Sequence, residues 1–296
     1  MPSCWQRPLT EDGQRGDVWI MGVLNCTPDS LSDGGDFFNV DAAIAHGIEM
    51  YEQGANIIDV GGESTRPGAV PVSEKEEMER VMPVIRALAA HGCTVSVDTM
   101  KAAVMCQAIE FGASIINDVS ALRFDAGSLQ AAAQSGADVC LMHMQGNPET
   151  MQRQPVYNDV VQEISDFFTQ RIEACLQAGI HASSIILDPG IGFGKRLEDN
   201  LALIRATSHF KTTFDMPLLL GLSRKSFLGQ LTGAPVADRE LETGAAGAMG
   251  IACGADILRV HDVAQQKRAI RVASALSAEE LYRAESQRHF TTEDTE

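Results

Sequence analysis

The chain has 296 residues, of which 45% are hydrophobic and 21% charged, and its formal net charge is −17 at pH 7. This composition is typical of a folded globular protein and excludes disorder for the body of the chain. The negative charge argues against nucleic acid as a partner, since neutralising phosphates requires a basic surface. No apolar stretch approaches the roughly 20 residues of a membrane span, and no basic-then-apolar leader begins the chain, so we predict a cytoplasmic protein. The seven cysteines include no C-x-x-C pair, which favours reduced thiols.

Short apolar runs that end in polar residues recur eight times along the chain. Segments with helical periodicity, such as 41–53 and 73–90, lie between these runs. Strand and helix repeated eight times predict a single-domain (β/α)8 TIM barrel of the α/β class, in which the carboxyl ends of all strands open onto one face. We therefore expect one composite active site at the ends of the runs: Asn25, Thr65, Asp98, Asn117 with Asp118, His143, Asp188, Ser226 and His261.

The barrel is predicted to occupy residues 17–276. Residues 1–16 are polar and aperiodic, which predicts a flexible N-terminal arm, and the acidic segment 277–296 is interpreted as a C-terminal tail. Two connections rich in turn-forming residues follow the first and second strands, CTPDSLSDGGDFFN and GGESTRPGAVPVS. Loops of this length over a barrel mouth favour a role as lids or substrate clamps over that of ordinary surface loops.

Asp98, Asn117 and Asp188 lie at the ends of the third, fourth and sixth apolar runs. A carboxylate at the end of an apolar strand is partly desolvated and requires a donor. Three such groups together suit an aminopyrimidine ring, whose amino and ring N–H groups form a guanidine-like fork. For each residue alone, an internal salt bridge or a helix N-cap is the alternative.

The seventh and eighth runs end in cations. The segment LGLSRKSFLG delivers Arg224, Lys225 and Ser226 to the mouth and then begins a helix, while Arg259 and His261 alternate onto one side of the last strand. Barrels commonly bind phosphate after strands seven and eight, so these residues predict an anion site in which Arg259 binds a phosphate through two nitrogens. The alternative is that Arg259 pairs with a surface acid.

Other motifs carry weaker signals. DPGIGFGK lacks the spacing of a phosphate-binding P-loop, so its glycines are interpreted as a tight turn and Phe193 as an apolar wall. His143 is either a general base or a core residue, and the two interpretations stay open. No zinc motif occurs, whereas Mg²⁺ needs only one or two protein oxygens beside substrate phosphates, and Asn25 can supply one.

The motifs MGVLNCTPDSLSDGG, IIDVGGESTRPGA, SVDT, IINDVS, LMHMQGNPETMQ, LDPGIGFGK, GLSRKSFLG and RVHDV, in this order, resemble those of bacterial dihydropteroate synthases. The resemblance extends from about Met21 to Ala275. It implies a magnesium-dependent transferase of folate biosynthesis, a sulfonamide target and usually a homodimer. Such an enzyme joins 6-hydroxymethyl-7,8-dihydropterin diphosphate to p-aminobenzoate and releases pyrophosphate and 7,8-dihydropteroate.

The resemblance also implies roles for individual residues. The catalytic residues would be Asp98, Asp188, Lys225, Asp33 and Arg66, the last two on the mobile loops. The remaining implied roles are pterin binding by Asp98, Asn117, Asp188 and Lys225, diphosphate binding by Asn25, Arg259 and His261, magnesium binding by Asn25, and a p-aminobenzoate pocket of Thr65, Arg66, Pro67, Phe193, Ser226 and Leu31.

Two alternatives stay open at this point. One is a related barrel that transfers a methyl group from methyltetrahydrofolate to a corrinoid protein, for which the SRKS and RVH segments would be superfluous. The other is a noncatalytic pterin-binding paralogue.

Leu31 departs from the family pattern, which commonly has phenylalanine in TPDSFSDGG. The lost ring contact is worth about 0.5–1.5 kcal/mol, which predicts three- to tenfold weaker inhibition by sulfonamides. Inhibition constants of wild type and Leu31→Phe measure this effect directly. Equal inhibition of the two proteins would show that Leu31 does not set drug sensitivity.

Overall fold

The computed structural model describes Trp5 and residues 18–27, 39–64, 69–147 and 150–277. The strands in this part of the chain are β1 (Trp19–Asn25), β2 (Ile57–Gly61), β3 (Val95–Asp98), β4 (Ile115–Asp118), β5 (Asp138–Met142), β6 (Ile185–Asp188), β7 (Leu219–Gly221) and β8 (Ile257–Val260). The helices are α1 (Val40–Gln53), α2 (Glu74–Ala90), α3 (Ala102–Glu110), α4 (Ser128–Ser135), α5 (Val160–Gln177), α6 (Leu197–Arg205), α7 (Thr207–Phe214), α8 (Ser226–Thr232), α9 (Glu240–Ala252) and α10 (Val263–Ser277). None of these helices has the length and apolarity to cross a membrane.

The eight strands are parallel and follow the order β6-β5-β4-β3-β2-β1-β8-β7. A single bridge between Leu187 and Leu218 joins the two ends of this sheet. The backbone N–H of Leu187 donates to the carbonyl of Pro217 at 2.9 Å beside that bridge. The sheet therefore closes on itself, and the predicted (β/α)8 barrel is confirmed.

The first two helices begin where side chains cap them. Asn39 accepts a hydrogen bond from the N–H of Ala42 at 3.0 Å, and Ser73 accepts one from Glu76 at 3.2 Å. Gly54, with φ of 104°, ends α1 in the left-handed conformation that glycine adopts without strain. The predicted spans 41–53 and 73–90 thus agree with α1 and α2 to within one residue.

The second and seventh apolar runs are longer than the strands they contain. The run NIIDVGGEST ends at Thr65, but its last residues, GGEST, belong to the predicted connection after the second strand, and β2 ends at Gly61. The seventh run ends at Ser226, but the strand predicted within it, 218–222, agrees with β7 to within one residue at each end, and Ser226 begins the predicted helix, α8. Thr65 itself lies outside the described residues.

An apolar layer fills the barrel near the amino-terminal ends of its strands, formed by Met21, Ile57, Ile115, Cys140, Ile186, Leu219 and Ile257. Side chains alternate along a strand, so the residue two positions further points the same way. Two residues further on, four of these seven positions are polar, Asp59, Asn117, Asp188 and Arg259, beside Val23, Met142 and Gly221. The barrel interior therefore changes from apolar to charged over two residues, and the charged layer faces the mouth.

Trp5 closes the opposite end of the barrel. It is 9% exposed and packs edge-on against Trp19, with 5.3 Å between the ring centroids. Its indole N–H donates to Asp138 at the start of β5 at 2.6 Å. The arm 1–16 is therefore anchored at Trp5, which its polar sequence did not predict, and its other residues lie outside the described part of the chain.

Candidate active site at the carboxyl end of the barrel

A buried cluster of charges at the barrel mouth is centred on Arg259. Its Nε donates to Asp59 at 2.7 Å and its Nη2 donates to Asp98 at 2.7 Å. Asp59 is 0% exposed, and Asn117 Nδ2 donates to the same Asp59 oxygen at 3.0 Å. Residues from β2, β3, β4 and β8 are thereby tied together inside the barrel. The partners of Arg259 are interior carboxylates, so the alternative of a surface acid is wrong.

The cluster perturbs the acidity of Asp98. Burial raises the pKa of Asp98 to about 7, Arg259 opposes this rise, and Asp59 adds to it. The same cluster holds the pKa of Arg259 above its ordinary value because Asp59 and Asp98 outweigh the cost of burial. Asp98 can therefore hold or release a proton near neutral pH, whereas Arg259 stays cationic.

Lys225 and Asp188 form a second charged group beside the first. Burial lowers the pKa of Lys225 to about 7, although Asp188 and Asp98 both favour its charged form. Its Nζ lies 3.9 Å from the centroid of the Phe193 ring. Burial raises the pKa of Asp188, and the backbone N–H of Gly190, which donates to it at 2.7 Å, opposes that rise. Lys225 thus lies between the acids and an aromatic wall.

The ends of β7 and β8 are joined through Ser223. This hydroxyl lies 2.9 Å from Nδ1 of His261 and accepts the backbone N–H of His261 at 3.2 Å. Ser223 is 4% exposed, so the contact is sheltered from water. It fixes the orientation of the His261 ring at the edge of the mouth.

A buried lysine holds the turn after β6. Lys195 Nζ donates to the carbonyl of Phe193 at 3.0 Å and to that of His143 at 3.2 Å, and it lies 3.0 Å from His143 Nδ1. Gly190, Gly192 and Gly194 have φ of 68°, 82° and 62°, as the predicted tight turn requires. A Cβ at Gly190 would lie 1.9 Å from the His143 carbonyl oxygen, so the turn packs backbone against backbone.

The environment of His143 favours a core residue over a general base. It is 8% exposed, and its ring packs edge-on against Phe167 with 4.8 Å between centroids. Burial, together with Lys195, lowers the pKa of His143 to about 2. His143 is therefore neutral and serves as a hydrogen-bond partner for Lys195.

A second charged network lies below the loop that follows β2. Lys101 pairs with Glu63 and with the buried Glu77, while Arg80 Nη1 donates to the carbonyl of Gly62 at 2.8 Å. Glu63 and Gly62 lie two and three residues before the segment 65–68. These contacts anchor the base of the second long loop at the mouth.

The described part of the chain brings together most of the predicted site. Asp98, Asn117, Asp188, Lys225 and Arg259 lie in or beside the charged cluster. Asn25 and His261 end or follow strands at the same face, Phe193 contacts Lys225, and Ser226 is exposed at the start of α8. The remaining predicted residues lie outside the described ranges: Leu31, Asp33, Thr65, Arg66 and Pro67.

Sequence reasoning missed Asp59 and Lys195. A charged residue inside the apolar run IIDVG was a usable signal for Asp59, since a fully buried carboxylate requires a partner. Lys195 gave no such signal, because a lysine after glycines is ordinarily a surface residue.

The sequence and the fold are similar to those of known proteins. Residues 21–261 match the model of a family described as pterin binding enzyme. The dihydropteroate synthase of Escherichia coli K12 is 48% identical over 90% of this chain and 94% of its own length. That of Bacillus subtilis is 43% identical over 87% and 88%.

Solved structures agree with this assignment. A Yersinia pestis dihydropteroate synthase in complex with a sulfonamide drug is 47% identical, with a TM-score of 0.84 over 88% of this chain and 94% of that one. A Xanthomonas albilineans dihydropteroate synthase with 4-aminobenzoic acid is 44% identical, with a TM-score of 0.82 over 88% and 93%. Fold and site thus define a TIM-barrel enzyme with a buried charged mouth. The chain belongs to the pterin-binding enzyme family, among the dihydropteroate synthases.

Lys195 makes stability depend on pH in a defined direction. Burial lowers its pKa to about 7, whereas an unfolded lysine titrates near about 10.4. Below pH 7 the fold bears the cost of a buried charge, and above pH 7 the folded protein sheds a proton that the unfolded chain keeps. Stability conferred by this group therefore rises with pH, by up to about 1.4 kcal/mol per pH unit.

We expect Lys195→Met to flatten that rise. Urea unfolding from pH 7.0 to 8.5 should show a steeper increase of unfolding free energy in wild type than in the variant. Lys75→Met, at a side chain that is 86% exposed, is the matched control and should follow wild type. Parallel curves for wild type and Lys195→Met would contradict the buried, partly neutral lysine.

Proposed function

We propose that this protein is a dihydropteroate synthase, a transferase that condenses 6-hydroxymethyl-7,8-dihydropterin diphosphate with p-aminobenzoate to give 7,8-dihydropteroate and pyrophosphate. The observation that carries the proposal is the interior layer of Asp59, Asn117, Asp188 and Arg259, within a chain 48% identical to a dihydropteroate synthase over most of its length. The proposed role in folate biosynthesis follows from that reaction.

The pterin would bind between the two charged groups of the mouth. Asp98, Asn117 and Asp188 supply acceptors and an amide at the depth where an aminopyrimidine edge would enter, and such an edge binds a carboxylate as a guanidinium does. Buried carboxylates favour positive charge on the ring system, so they stabilise a pterin cation formed when pyrophosphate departs. No protein nucleophile is required by this route.

The diphosphate would bind at the rim formed by β1, β7 and β8. Arg259 and His261 are the proposed contacts, although Nε and Nη2 of Arg259 already donate to carboxylates. Binding of a phosphate through two nitrogens of Arg259 therefore requires either Nη1 or a rearrangement. Positive charge beside the departing pyrophosphate lowers the activation free energy for its departure.

The rim offers few protein ligands to a magnesium ion. The described residues include no group of three or more His, Cys, Asp and Glu side chains placed to hold a metal. Mg²⁺ commonly keeps several waters and takes further ligands from substrate phosphates. Asn25, half-buried at the end of β1, would supply one amide oxygen. The bound ion would neutralise charge on the leaving pyrophosphate.

The amine substrate would bind above the pterin. Phe193 offers a ring beside Lys225, and Ser226 is exposed at the first turn of α8. Thr65, Arg66, Pro67 and Leu31 are proposed to complete this pocket from the two long loops, and Asp33 is a proposed catalytic residue on the first of them. A p-aminobenzoate site there would also receive sulfonamides, so the protein is a proposed sulfonamide target. Its cytoplasmic location stays a prediction.

Neither alternative activity gains support. The relatives named above are dihydropteroate synthases at 43–48% identity over most of this chain. The SRKS and RVH segments, which carry the residues proposed for the diphosphate, would be superfluous for a substrate that lacks one.

A homodimer through α9 and α10 is the proposed assembly. The exposed stripe of α9 is apolar and includes Leu241 at 82% exposure and Met249 at 55%. On the adjacent α10, Val272 and Leu276 are 62% and 69% exposed. Sedimentation equilibrium should give twice the mass of one chain for wild type and a shift toward monomer for Met249→Lys. A monomeric wild type would contradict this assembly.

The activity is tested by pyrophosphate release from purified protein with the pterin diphosphate and magnesium, with and without p-aminobenzoate. We expect release that depends on p-aminobenzoate, with an equal amount of dihydropteroate. Tight pterin binding without product would instead favour a noncatalytic paralogue. Absence of binding would overturn the site assignment.

A further inference from the structure

The turn that carries Lys225 has an unusual backbone. Arg224, between β7 and α8, has φ of 58°, a left-handed conformation that non-glycine residues adopt at a cost. A residue persists in that conformation only where its surroundings hold it there. The turn presents Lys225 over Phe193 and Ser226 at the start of α8, so its geometry sets the position of both side chains.

The beginning of α9 supplies the contacts that hold this turn. Arg239 Nη1 lies 3.2 Å from the carbonyl oxygen of Arg224 and 3.4 Å from that of Lys225, and donates to both. Arg239 Nε donates to the carbonyl of Ala234 at 3.0 Å, which fixes the guanidinium from its other side. One planar cation thus binds two successive carbonyls of the strained turn.

Two further contacts from α9 reach Arg224 directly. Its Nε donates to Glu240 at 2.6 Å, and its backbone N–H donates to Thr243 Oγ1 at 3.2 Å. Gln266 of α10 donates to Glu240 at 2.9 Å and holds that carboxylate. The turn is therefore held through its carbonyls by Arg239 and through its N–H and side chain by Glu240 and Thr243.

Gly229 shows that space is reserved for the guanidinium. Glycine inside a helix is unfavourable relative to alanine, so a glycine in the middle of α8 requires a reason. A Cβ at Gly229 would lie 2.1 Å from Nη2 and 2.6 Å from Cζ of Arg239. The missing side chain thus admits Arg239 against α8.

We propose that Arg239 is a positioning residue for Lys225 and Ser226, seated against Gly229 and acting through the carbonyls of Arg224 and Lys225. This inference rests on the proposed roles of Lys225 in pterin binding and Ser226 in p-aminobenzoate binding. The hydrogen bonds of Arg239 go to the backbone carbonyls of Ala234, Arg224 and Lys225, so it would act on the site through the turn.

Two variants displace the guanidinium by different means. Arg239→Met removes the hydrogen-bond donors and keeps an unbranched side chain. Gly229→Ala leaves every donor in place but puts a methyl group in the space that the Arg239 guanidinium occupies. We expect each to raise KM for p-aminobenzoate by about tenfold, since a misplacement of about 1 Å can cost about 100-fold and a smaller shift is expected here. Because Lys225 is proposed to contact the pterin, KM for the pterin diphosphate should rise as well, and any fall in the turnover number should accompany these rises in KM. Arg205→Met, at an exposed arginine of α6, is the matched control and should behave as wild type.

The double variant Gly229→Ala with Arg239→Met decides whether the two effects share one cause. Residues that act through one contact are not additive, so the double variant should be no worse than Arg239→Met alone. Additive losses would overturn the proposal, as would unchanged KM in Gly229→Ala. A lower kcat at unchanged KM would also overturn it, because loss of folded protein has that signature. Melting temperatures of all five proteins, including the Arg205→Met control, ensure that rates are compared well below unfolding.

A binding measurement distinguishes failure of the positioning role from failure of the proposed function. If Arg239→Met does not fold, Gly229→Ala carries the test, because alanine favours the helix. If wild type releases no pyrophosphate, the proposed function fails, and the affinity of 6-hydroxymethylpterin for the same proteins tests the positioning of Lys225. Equal pterin affinity in wild type and Gly229→Ala would then overturn the positioning role.

Discussion

The guanidinium of Arg259, held between Asp59 and Asp98 inside the barrel, is the interaction on which the mouth depends. Removing a charge from water costs several kcal/mol, and a partner at hydrogen-bond distance offsets this only if the geometry is good. Arg259 has two such partners at 2.7 Å, and Asn117 donates to the deeper one. Each of these residues therefore restricts the others, and the mouth is ordered before a substrate arrives. Such pre-ordering is what electrostatic catalysis requires.

The charged layer lies directly on an apolar one. Ile57, Ile115, Ile186 and Ile257 fill the barrel two residues before Asp59, Asn117, Asp188 and Arg259, so packed hydrocarbon supports the charged groups from below. This packed apolar layer excludes water that would screen the charges. The resulting burial accounts for the raised pKa of Asp98 and the lowered pKa of Lys225. Trp5 closes the apolar end, so an element outside the barrel contributes to the seal beneath the site.

Local pattern was sufficient to predict the barrel and the residues at its strand ends. Alternation and run length located Asp98, Asn117 and Asp188, because each ends an apolar strand and every such end meets the same face. Asp59 was missed because it lies inside its apolar run, not at the polar end on which the site prediction was based. The partners of Arg259 could not be predicted, since they depend on the register of strands that lie 161 and 200 residues apart in sequence.

The contacts that hold the turn before α8 and the turn after β6 could likewise not be predicted from the sequence. A glycine at 229 or 190 predicts only that a side chain is not tolerated, and the reason lies in Arg239 or in the His143 carbonyl, both distant in sequence. Lys195 looks like a surface residue until the turn after β6 folds over it. Sequence therefore predicts which groups reach the mouth, whereas the residues that hold them there emerge only from tertiary packing.

The affinity of 6-hydroxymethylpterin for wild type and Asp59→Asn, measured by calorimetry, tests the central role of the Arg259 cluster most directly. Asparagine keeps the shape of Asp59 but removes the charge that orients Arg259 and Asn117, so binding should weaken about tenfold or more. Asp166→Asn, at an exposed acid of α5, should bind as wild type does. Equal affinity in wild type and Asp59→Asn would contradict the account, because the mouth would then be ordered without its buried carboxylate.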